Sequence, residues 1–355
     1  MAEPQIALPA PDIANKYRRR KAANPGARAR DIAEALGVTE GILAEALSGD
    51  GVHRLGLRGV DFVGLLSALK DVGPVMTLTR NDTAVYETTG TMGAVSNDGE
   101  MGQVTGPIDL RLFLRHWHVG YAVSEETRSG LRHSIQVFDA TGAAVIKIYA
   151  VAGTNNEIWD RIVEAHLDQS SQITAFTPRA LPSPARPDGE IDVAALREGW
   201  LALEHSHDFH RLLAMHTVGR EQALRLVGED LAFRADGGLV ERLLQAAAAG
   251  AVPIMCFVGS TGCLQIFSGA IERVASVGPW LNVLDPAFNL HLRTDRVAST
   301  WVVIKPTKLR GRITSLELFD AEHRLVCQFF GNRPPGEGER EGWRTLIDDA
   351  LGDRS

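Results

Sequence analysis

Apolar and polar positions form two series along the chain that follow the same order. Residues 62–80 read as an apolar helix, a glycine, a proline and an apolar strand that contains a methionine, and residues 240–260 repeat this order. Apolar residues at helical spacing that give way to a strand-like run after a glycine and a proline predict a helix followed by a strand. The two prolines, Pro74 and Pro253, are about 180 residues apart, which is far longer than a solenoid period.

Further pairs of segments keep nearly the same separation. Residues 134–139 (SIQVFD) match 315–320 (SLELFD), residues 109–113 match 289–293, and each half ends in a helix led by a tryptophan, Trp159 or Trp343. Several matched elements at a near-constant offset predict a tandem duplication of two similar halves.

Each half is predicted to begin with helices, over residues 28–48 and 191–249, and to continue with short alternating strands and Gly, Asn and Asp turns. Helices followed by runs of strands indicate an α+β fold with largely antiparallel sheets. Residues 176–190 contain four prolines and few large apolar side chains, a composition typical of a linker. We therefore predict an N-terminal repeat over 1–175, this linker, and a C-terminal repeat over 191–355.

Composition narrows the class of protein. The 355 residues carry 37 Lys+Arg against 44 Asp+Glu, and this mild acidity argues against nucleic acid as the main partner. Three cysteines provide neither a disulfide framework nor a Cys-rich zinc site and are typical of a reducing cytoplasm. The N-terminus lacks the charged start and apolar core of a secretory signal. The apolar run 243–259 is interrupted by glycine and proline, so we expect a helix and a strand there and no membrane span.

Motifs for common reactions are missing from the sequence. No G-x-G-x-x-G follows a predicted strand and no phosphate-binding P-loop is present, so nucleotide loops are not indicated. The zinc helix H-E-x-x-H and the nucleophile elbow G-x-S-x-G are absent as well.

The densest polar cluster is a group of histidines: His205, His207, His210 and His216. Three interpretations remain open on spacing alone: a solvated, His-rich helix start, a single axial metal ligand, or a multi-histidine zinc site. Ser206 is predicted to be the N-cap, which would place His207 in the first helical turn. There the helix dipole favours the neutral imidazole that can bind a metal.

Three strands carry further candidates. Met255 and Phe257 share one strand face and would form a soft apolar wall, although simple core packing is the favoured interpretation on the sequence alone. Arg111 and Phe113 share a face in an otherwise apolar strand, so Arg111 must face solvent, a carboxylate or a ligand. Lys305 alternates with Trp301 and Val303, where a surface lysine is the simplest interpretation.

These residues carry a resemblance to a known family. The stretches ARDIAEALGV, GPIDLRLFLRHW, HSIQVFDATGAAVIKIYA, HDFHRLL, GREQALRLV, IMCFVGSTGCLQIFSG, WLNVLDPAFNLHL and TSLELFD resemble the HemS/HmuS family of bacterial cytoplasmic haem-handling proteins. The similarity extends over nearly the whole chain and includes the duplication. It implies one haem near the interface between the two halves.

The resemblance assigns a role to each candidate. His207 is implied to be the proximal ligand of the haem iron, and Arg111 to approach the opposite face through a water. Three cations are implied to bind the propionates: Arg220, Lys305 and Arg333. Three apolar residues are implied to line the porphyrin: Met255, Phe257 and Phe113. This set suits a large apolar disc with two carboxylates at one edge.

The sequence departs from the family at two positions. Some members have a histidine, associated with a second haem, where this chain has Tyr86. A phenolate can bind ferric haem, but a packed tyrosine is the simpler interpretation. Phe330 replaces a tyrosine that many members have near the propionates, which removes one hydroxyl donor worth about 1 kcal/mol.

The resemblance leaves two hypotheses of function. The first is haem degradation, in which oxygen attacks the meso carbon of the porphyrin, Arg111 and its water orient the oxygen, and a separate reductase supplies electrons. The second is a carrier that accepts haem from an inner-membrane importer and delivers it to a separate haem oxygenase. The same ligands serve both. A zinc hydrolase built on the histidine cluster is a third, less favoured class.

Overall fold

The computed structural model describes residues 10–127, 130–170, 172–180, 185–334 and 336–352. The chain divides into two compact units. The N-terminal unit comprises Met1–Arg80, Glu87–Leu181 and Gly259–Gln265, and the C-terminal unit comprises Asn81–Tyr86, Pro182–Val258 and Ile266–Ser355. Part of the predicted linker, residues 181–184, lies outside the described residues, as do residues 1–9.

The N-terminal unit begins with helices and continues with strands. Its helices are α1 (Ala10–Ala23), α2 (Ala29–Ala35), α3 (Glu40–Ala46), α4 (Phe62–Ala68) and α5 (Asn156–Ala165). Its strands are β1 (Val52–Leu55), β2 (Pro74–Arg80), β3 (Ala84–Thr91), β4 (Ala94–Asp98), β5 (Met101–Thr105), β6 (Asp109–Phe113), β7 (Val119–Thr127), β8 (Gly130–Phe138) and β9 (Ala144–Ala150). They pair in the orders β1-β7-β8-β9-β2-β3 and β4-β5-β6.

The C-terminal unit repeats this plan. Its helices are α6 (Val193–Leu201), α7 (Phe209–His216), α8 (Arg220–Leu226), α9 (Leu239–Ala249) and α10 (Glu341–Leu351). Its strands are β10 (Ala232–Ala235), β11 (Ile254–Gly259), β12 (Cys263–Gly269), β13 (Val274–Val277), β14 (Trp280–Leu284), β15 (Phe288–Arg293), β16 (Ser299–Thr307), β17 (Gly311–Phe319) and β18 (Leu325–Gly331). They pair in the orders β10-β16-β17-β18-β11-β12 and β13-β14-β15.

Strand register confirms the predicted duplication. Ser134 of β8 pairs with Tyr149 of β9, and Ser315 of β17 pairs with Phe330 of β18. Each strand pair then shifts register at the same place, after Val137 in one unit and after Leu318 in the other. A bulge inserts one residue and re-aims the strand, so its repetition at matching positions is a detail that two unrelated sheets would rarely share. The predicted α+β class with antiparallel sheets is therefore correct.

The helix–glycine–proline–strand pattern also forms as predicted. In the C-terminal unit α9 ends before Gly250 and β11 begins at Ile254, directly after Pro253. Among the described residues, no helix is long and apolar enough to cross a membrane. The pattern did not predict α1, nor the short edge strands β1 and β10, because four-residue strands carry little periodicity.

The two faces of the C-terminal sheet differ in character. Leu316, Cys256 and Phe329 point to a buried core that α9 and α10 cover. Helices α6, α7 and α8 cover the β10–β16 end of the other face, through a second cluster around Trp200, Phe209 and Val303. The second face carries the predicted site residues of β11 and β16, which are Met255, Phe257 and Lys305.

Candidate functional site

The strand register brings several predicted site residues to one sheet face. Lys305, Glu317, Gln328, Phe330, Met255 and Phe257 lie on neighbouring strands at alternating positions. Because successive side chains of a strand point to opposite faces, these six share the face opposite the α9–α10 core.

The end of this face formed by β11 and β18 is an apolar wall. Met255 and Phe257 are half-buried, whereas Cys256 between them is fully buried in the core. Phe330 pairs with Met255 in register, and its ring lies 5.2 Å from that of Phe257 in a T-shaped arrangement. Met255 and Phe257 are therefore not fully packed into the core, unlike Cys256, and with Phe330 they form a wall that is partly open. The hydroxyl expected in many relatives is absent here, since Phe330 is a phenylalanine.

A buried carboxylate lies beside this wall and gathers two of the predicted cations. Glu317 has no exposed surface, and its oxygens accept hydrogen bonds from Nε and Nη2 of Arg220 at 2.7 and 2.8 Å. Nζ of Lys305 lies 3.0 Å from the same carboxylate. The Oγ of Ser315 and the amide of Gln328 donate to it at 3.1 and 2.9 Å. Two cations and one carboxylate leave this cluster with a single net positive charge.

Burial and mutual charges alter the pKa values of Glu317 and Lys305. Burial alone would raise the pKa of Glu317, but the charges of Arg220 and Lys305 hold it well below its usual range. Burial lowers the pKa of the Lys305 ammonium, and the Glu317 carboxylate opposes this effect. Lys305 is only 2 % exposed, so the prediction of a surface lysine is wrong. Its position on a central strand buries it, which the local sequence pattern does not reveal.

Both cations also contact one aromatic ring. Cζ of Arg220 lies 5.0 Å and Nζ of Lys305 lies 4.6 Å from the ring centroid of Phe209, within the range of cation–π attraction. Trp200 packs edge-on against the same ring at 4.5 Å, and its indole donates to the carbonyl of Ile304 at 2.9 Å. Phe209, the first residue of α7, is therefore fixed by the sheet, by α6 and by the charge cluster.

His207 precedes Phe209 by two residues. It is exposed and lies in a single 3-10 turn, Ser206–Asp208, which leads directly into α7. The predicted Ser206 cap is wrong: His205 is the capping residue, and its backbone N–H donates to Oδ2 of Asp208 at 2.9 Å. A 3-10 turn precedes the α-helix, so α7 begins at Phe209, two residues later than a cap at Ser206 would place it.

The neighbouring histidine has an altered acidity. Desolvation and the positive charges of Arg220 and Lys305 lower the pKa of His210, which favours its neutral form. Among the described residues, no three His, Cys, Asp or Glu side chains are placed to hold a metal ion together. The multi-histidine zinc interpretation therefore gains no support from the geometry.

Arg333 lies next to the apolar wall. Its Cζ is 6.0 Å from the ring centroid of Phe330, and burial lowers the pKa of its guanidinium. Its Nη1 is buried, and among the described residues it has no hydrogen-bond partner. A buried, unmatched N–H of a guanidinium is costly unless a ligand completes it. An anionic group is the ligand that would do so best.

Arg111 and Phe113 lie in the N-terminal unit, on the half-buried face of β6. The guanidinium of Arg111 forms an ion pair with Asp109 two residues earlier, and its Nη1 donates to the carbonyl of Leu110 at 3.1 Å. Of the three expectations for this arginine, a carboxylate partner is the one found. Phe113 pairs with Met101 of β5 in register.

The N-terminal unit contains a counterpart of the Glu317 cluster in which the acid lies on a helix and both cations lie on strands. Glu40 is the first residue of α3, as Arg220 is the first of α8. Its carboxylate pairs with Lys147 and Arg80. Lys147 occupies the register position of Gln328, because it pairs with Gln136 as Gln328 pairs with Glu317. Ala27 precedes α2 by two residues, as His207 precedes α7, so this unit lacks the equivalent histidine.

Tyr86 is fully buried, and its ring lies 4.9 Å from that of Phe288. This environment is that of a packed core tyrosine. A phenolate ligand for a second haem would need a position at a surface or cavity that this side chain does not have.

Sequence reasoning missed Glu317. Glu317 is not among the predicted site residues and occurs only in the repeated segment 315–320. A glutamate between Leu316 and Leu318 in an apolar strand nevertheless indicates a buried charge. A charged residue at an inward-facing strand position requires buried partners, and Lys305, on the neighbouring strand, is one of them.

The residues of the C-terminal unit fit a haem. The half-buried wall suits an apolar ring, the buried donor of Arg333 suits a carboxylate, and His207 supplies an exposed imidazole at the start of a helix. The cluster of Arg220, Lys305 and Glu317 adds one positive charge nearby.

Comparisons with known proteins identify the family to which the chain is similar. The family model of the haemin-degrading HemS.ChuX domain matches the chain twice, over residues 37–166 and 217–350. The hemin transport protein HmuS of Yersinia pestis is 37 % identical over 334 residues, covering 94 % of this chain and 95 % of that protein.

Solved structures show the same likeness. The crystal structure of holo-PhuS, a heme-binding protein from Pseudomonas aeruginosa, has a TM-score of 0.92 and 42 % identity and covers 96 % of this chain and 99 % of that one. The structure of ChuS, an E. coli heme oxygenase, has a TM-score of 0.86 and 33 % identity, covering 96 % of this chain and all of that one, 100 %. The chain therefore belongs to the HemS/HmuS family, as a tandem pair of haemin-degrading HemS.ChuX domains.

Proposed function

We propose that this protein binds haem through His207 in its C-terminal unit and degrades it to release iron during bacterial haem-iron uptake. One observation carries the proposal. The buried, unmatched Nη1 of Arg333 lies beside the aromatic wall of Phe330 and Phe257. An apolar ligand that ends in a carboxylate would satisfy both features at once, and haem is such a ligand.

The remaining residues take the following roles in this proposal. Arg333 forms a charge-assisted hydrogen bond with a propionate, and Arg220 and Lys305 supply further positive charge at the rim. Apolar contacts to the porphyrin come from three residues: Met255, Phe257 and Phe113. His207 donates its neutral imidazole nitrogen to the iron. Arg111 would be the residue that orients oxygen, through a water.

Haem supplies the oxidative chemistry when it is bound, and the protein supplies binding and orientation. The sequence contains no flavin or nicotinamide motif, so a separate reductase provides the electrons. The proposal places the protein in the cytoplasm, where an inner-membrane importer supplies the haem.

A second candidate function is that of a carrier, which delivers haem to a separate haem oxygenase without degrading it. The relatives from Yersinia pestis and Yersinia enterocolitica are described as hemin transport proteins, which favours this alternative. ChuS is described as a heme oxygenase, which favours degradation. The same ligands serve both functions, so only a measurement of haem turnover separates them.

A haem titration followed by Soret absorbance tests the proposal. Wild type is expected to bind one haem, His207→Ala to change the spectrum, and His216→Ala, at the far end of α7, to leave it unchanged. A reductant is then added in air, with and without catalase. Bleaching that resists catalase supports degradation, and persistent haem or catalase-sensitive bleaching supports the carrier. An unchanged spectrum in His207→Ala overturns the axial assignment.

A further inference from the structure

We propose that Glu317 is a positioning residue for the axial histidine: it holds Arg220 and Lys305 against the ring of Phe209 and thereby fixes the turn that contains His207. The inference rests on the proposed function, because it concerns the same haem ligand. It predicts that removal of the Glu317 charge weakens haem binding, whereas the net charge of the cluster alone would predict stronger binding.

The first step is the anchoring of the cations. Glu317 accepts five hydrogen bonds from four side chains, which belong to α8, β16, β17 and β18, and its own strand lies inside the sheet. Both N–H groups that Arg220 directs at Glu317 form a fork on one carboxylate, a geometry that fixes the orientation of the guanidinium. Lys305, an otherwise flexible side chain, is held by the same carboxylate.

The second step leads from the cations to Phe209. With their charges directed at Glu317, Arg220 and Lys305 also pack on the Phe209 ring at 5.0 and 4.6 Å. Phe209 is 1 % exposed, so movement of either cation must be accommodated by the ring or leave a gap in the core.

The third step leads from Phe209 to His207 through the backbone. One residue, Asp208, separates the two, and it is committed to the turn because its carboxylate accepts the N–H of His205. The segment that enters the turn is held as well, since the N–H of Lys308 donates to the carbonyl of Leu203 at 3.0 Å. His207 thus lies in a short turn fixed at both ends, and Phe209 forms the end that depends on the cluster.

Two interpretations of Glu317 predict opposite results for Glu317→Gln. If Glu317 only neutralises the rim, its removal raises the net charge of the cluster by one and strengthens the binding of an anionic ligand. If it positions the turn, its removal weakens binding and alters the coordination of the iron. Changes to partners behind a metal ligand typically weaken metal binding about 10- to 100-fold.

The experiment compares haem affinity and ferric spectra of wild type, Glu317→Gln and Glu221→Gln. Glu221 is the matched control: it is a half-buried carboxylate of α8 that accepts hydrogen bonds from Trp301 and His323, but contacts neither Lys305 nor Phe209 in any described interaction. Glu317→Gln is expected to bind haem about tenfold more weakly, with a changed spin-state ratio, while Glu221→Gln keeps the wild-type spectrum. Tighter binding, or a spectrum equal to that of Glu221→Gln, overturns the inference.

Haem dimethyl ester, which lacks free propionates, separates the turn from the rim. The spectral change of Glu317→Gln is expected to persist with the ester, because the effect reaches the iron through His207. A change confined to haem with free propionates would place the effect at the rim and refute the inference. In a Phe209→Leu background, Glu317→Gln is expected to add little, and an undiminished effect there contradicts the proposed route.

Two further controls keep the test decisive. If Glu317→Gln does not fold, Glu317→Asp replaces it, since its shorter carboxylate cannot reach both cations as before, and the same direction of spectral change is expected. If wild type binds no haem, or if His207→Ala leaves the haem spectrum unchanged, the proposed function itself is wrong. If wild type binds haem and His207→Ala changes the spectrum, but Glu317→Gln changes neither affinity nor spectrum, only the inference about Glu317 is wrong.

Discussion

Glu317 accepts both hydrogen bonds of a guanidinium fork from Arg220, a residue 97 positions earlier in the chain. The carboxylate is completely buried and the guanidinium nearly so. A buried pair of this kind does little for net stability when compared with apolar residues, but it is expensive to break, because the remaining partner keeps an uncompensated charge. Arg220 of α8 and Lys305 of β16, two of the cations predicted to bind propionates, therefore already have a partner within the protein, Glu317.

The Arg220–Glu317 pair predicts a pH-dependent loss of stability. The folded pKa of Glu317 lies below its usual value of 4.5, so its contribution is complete above about pH 4.5 and declines as the pH falls below it. Glu317→Gln is expected to lower the free energy of unfolding at pH 7 by about 3–5 kcal/mol. Urea unfolding at several pH values measures this. The difference from wild type is expected to shrink below pH 4.5, and a constant difference down to pH 3 would contradict the assignment.

An exposed acid serves as the control for this measurement. Glu322 forms a surface ion pair with Arg324 at 3.2 Å. Glu322→Gln is expected to change the free energy of unfolding by less than about 1 kcal/mol, because solvent screens such pairs.

Arg333 is predicted to contribute directly to haem affinity. Arg333→Ala removes a buried donor that lacks a partner among the described residues, so the folded protein loses little while the complex loses a charge-assisted hydrogen bond. Such a bond is worth about 1.5–3 kcal/mol, or roughly 10- to 150-fold in the dissociation constant. Fluorescence quenching by haem measures the change. Arg324→Ala is the control and is expected to bind as wild type does, because its half-exposed guanidinium pairs with the buried Asp320 and is not among the predicted haem-binding residues.

The effect of Arg333→Ala on affinity is expected to disappear when the propionates of haem are esterified. Wild type and Arg333→Ala are predicted to bind haem dimethyl ester equally well, because the ester cannot accept the ionic contact. If Arg333→Ala weakens the ester complex as strongly as the haem complex, Arg333 acts on packing and its assignment to a propionate is incorrect.

Tyr86 is predicted to take no part in haem binding. Its side chain is fully buried against Phe288, and Tyr86→Phe keeps that packing. The variant is expected to bind the same number of haems as wild type, with the same Soret maximum, in a titration at micromolar protein. A lower stoichiometry in Tyr86→Phe would reveal a second, tyrosine-dependent haem.

The Glu40 cluster of the N-terminal unit is predicted to be structural only. Glu40→Gln leaves Lys147 buried without its carboxylate partner, so the free energy of unfolding is expected to fall by about 3–5 kcal/mol. The ferric haem spectrum is expected to stay unchanged, because this unit has Ala27 where the other has His207. Comparison with Glu317→Gln in the same two assays distinguishes the clusters. A shifted Soret band in Glu40→Gln would show that the N-terminal cluster affects the haem.

The sequence by itself determined the local elements and their repetition. A glycine and a proline end α9 and begin β11, and alternation along β11 places Cys256 opposite Met255 and Phe257. These features follow from the geometry of a single segment, in which helices repeat every 3.6 residues and strands every two. The duplication followed from the same patterns, since matching segments fold into matching elements.

Tertiary structure decided which charges meet. The local pattern predicted a surface lysine at Lys305 and a cap at Ser206, and both predictions are wrong. Strand order and register bring Glu317 between Lys305 and Gln328, and the packing of α8 adds Arg220. Pairings across about 100 residues depend on how strands are ordered in the sheet, and the periodicity of one segment contains no information about its neighbours. The chemistry of the cluster therefore exists only in the folded chain.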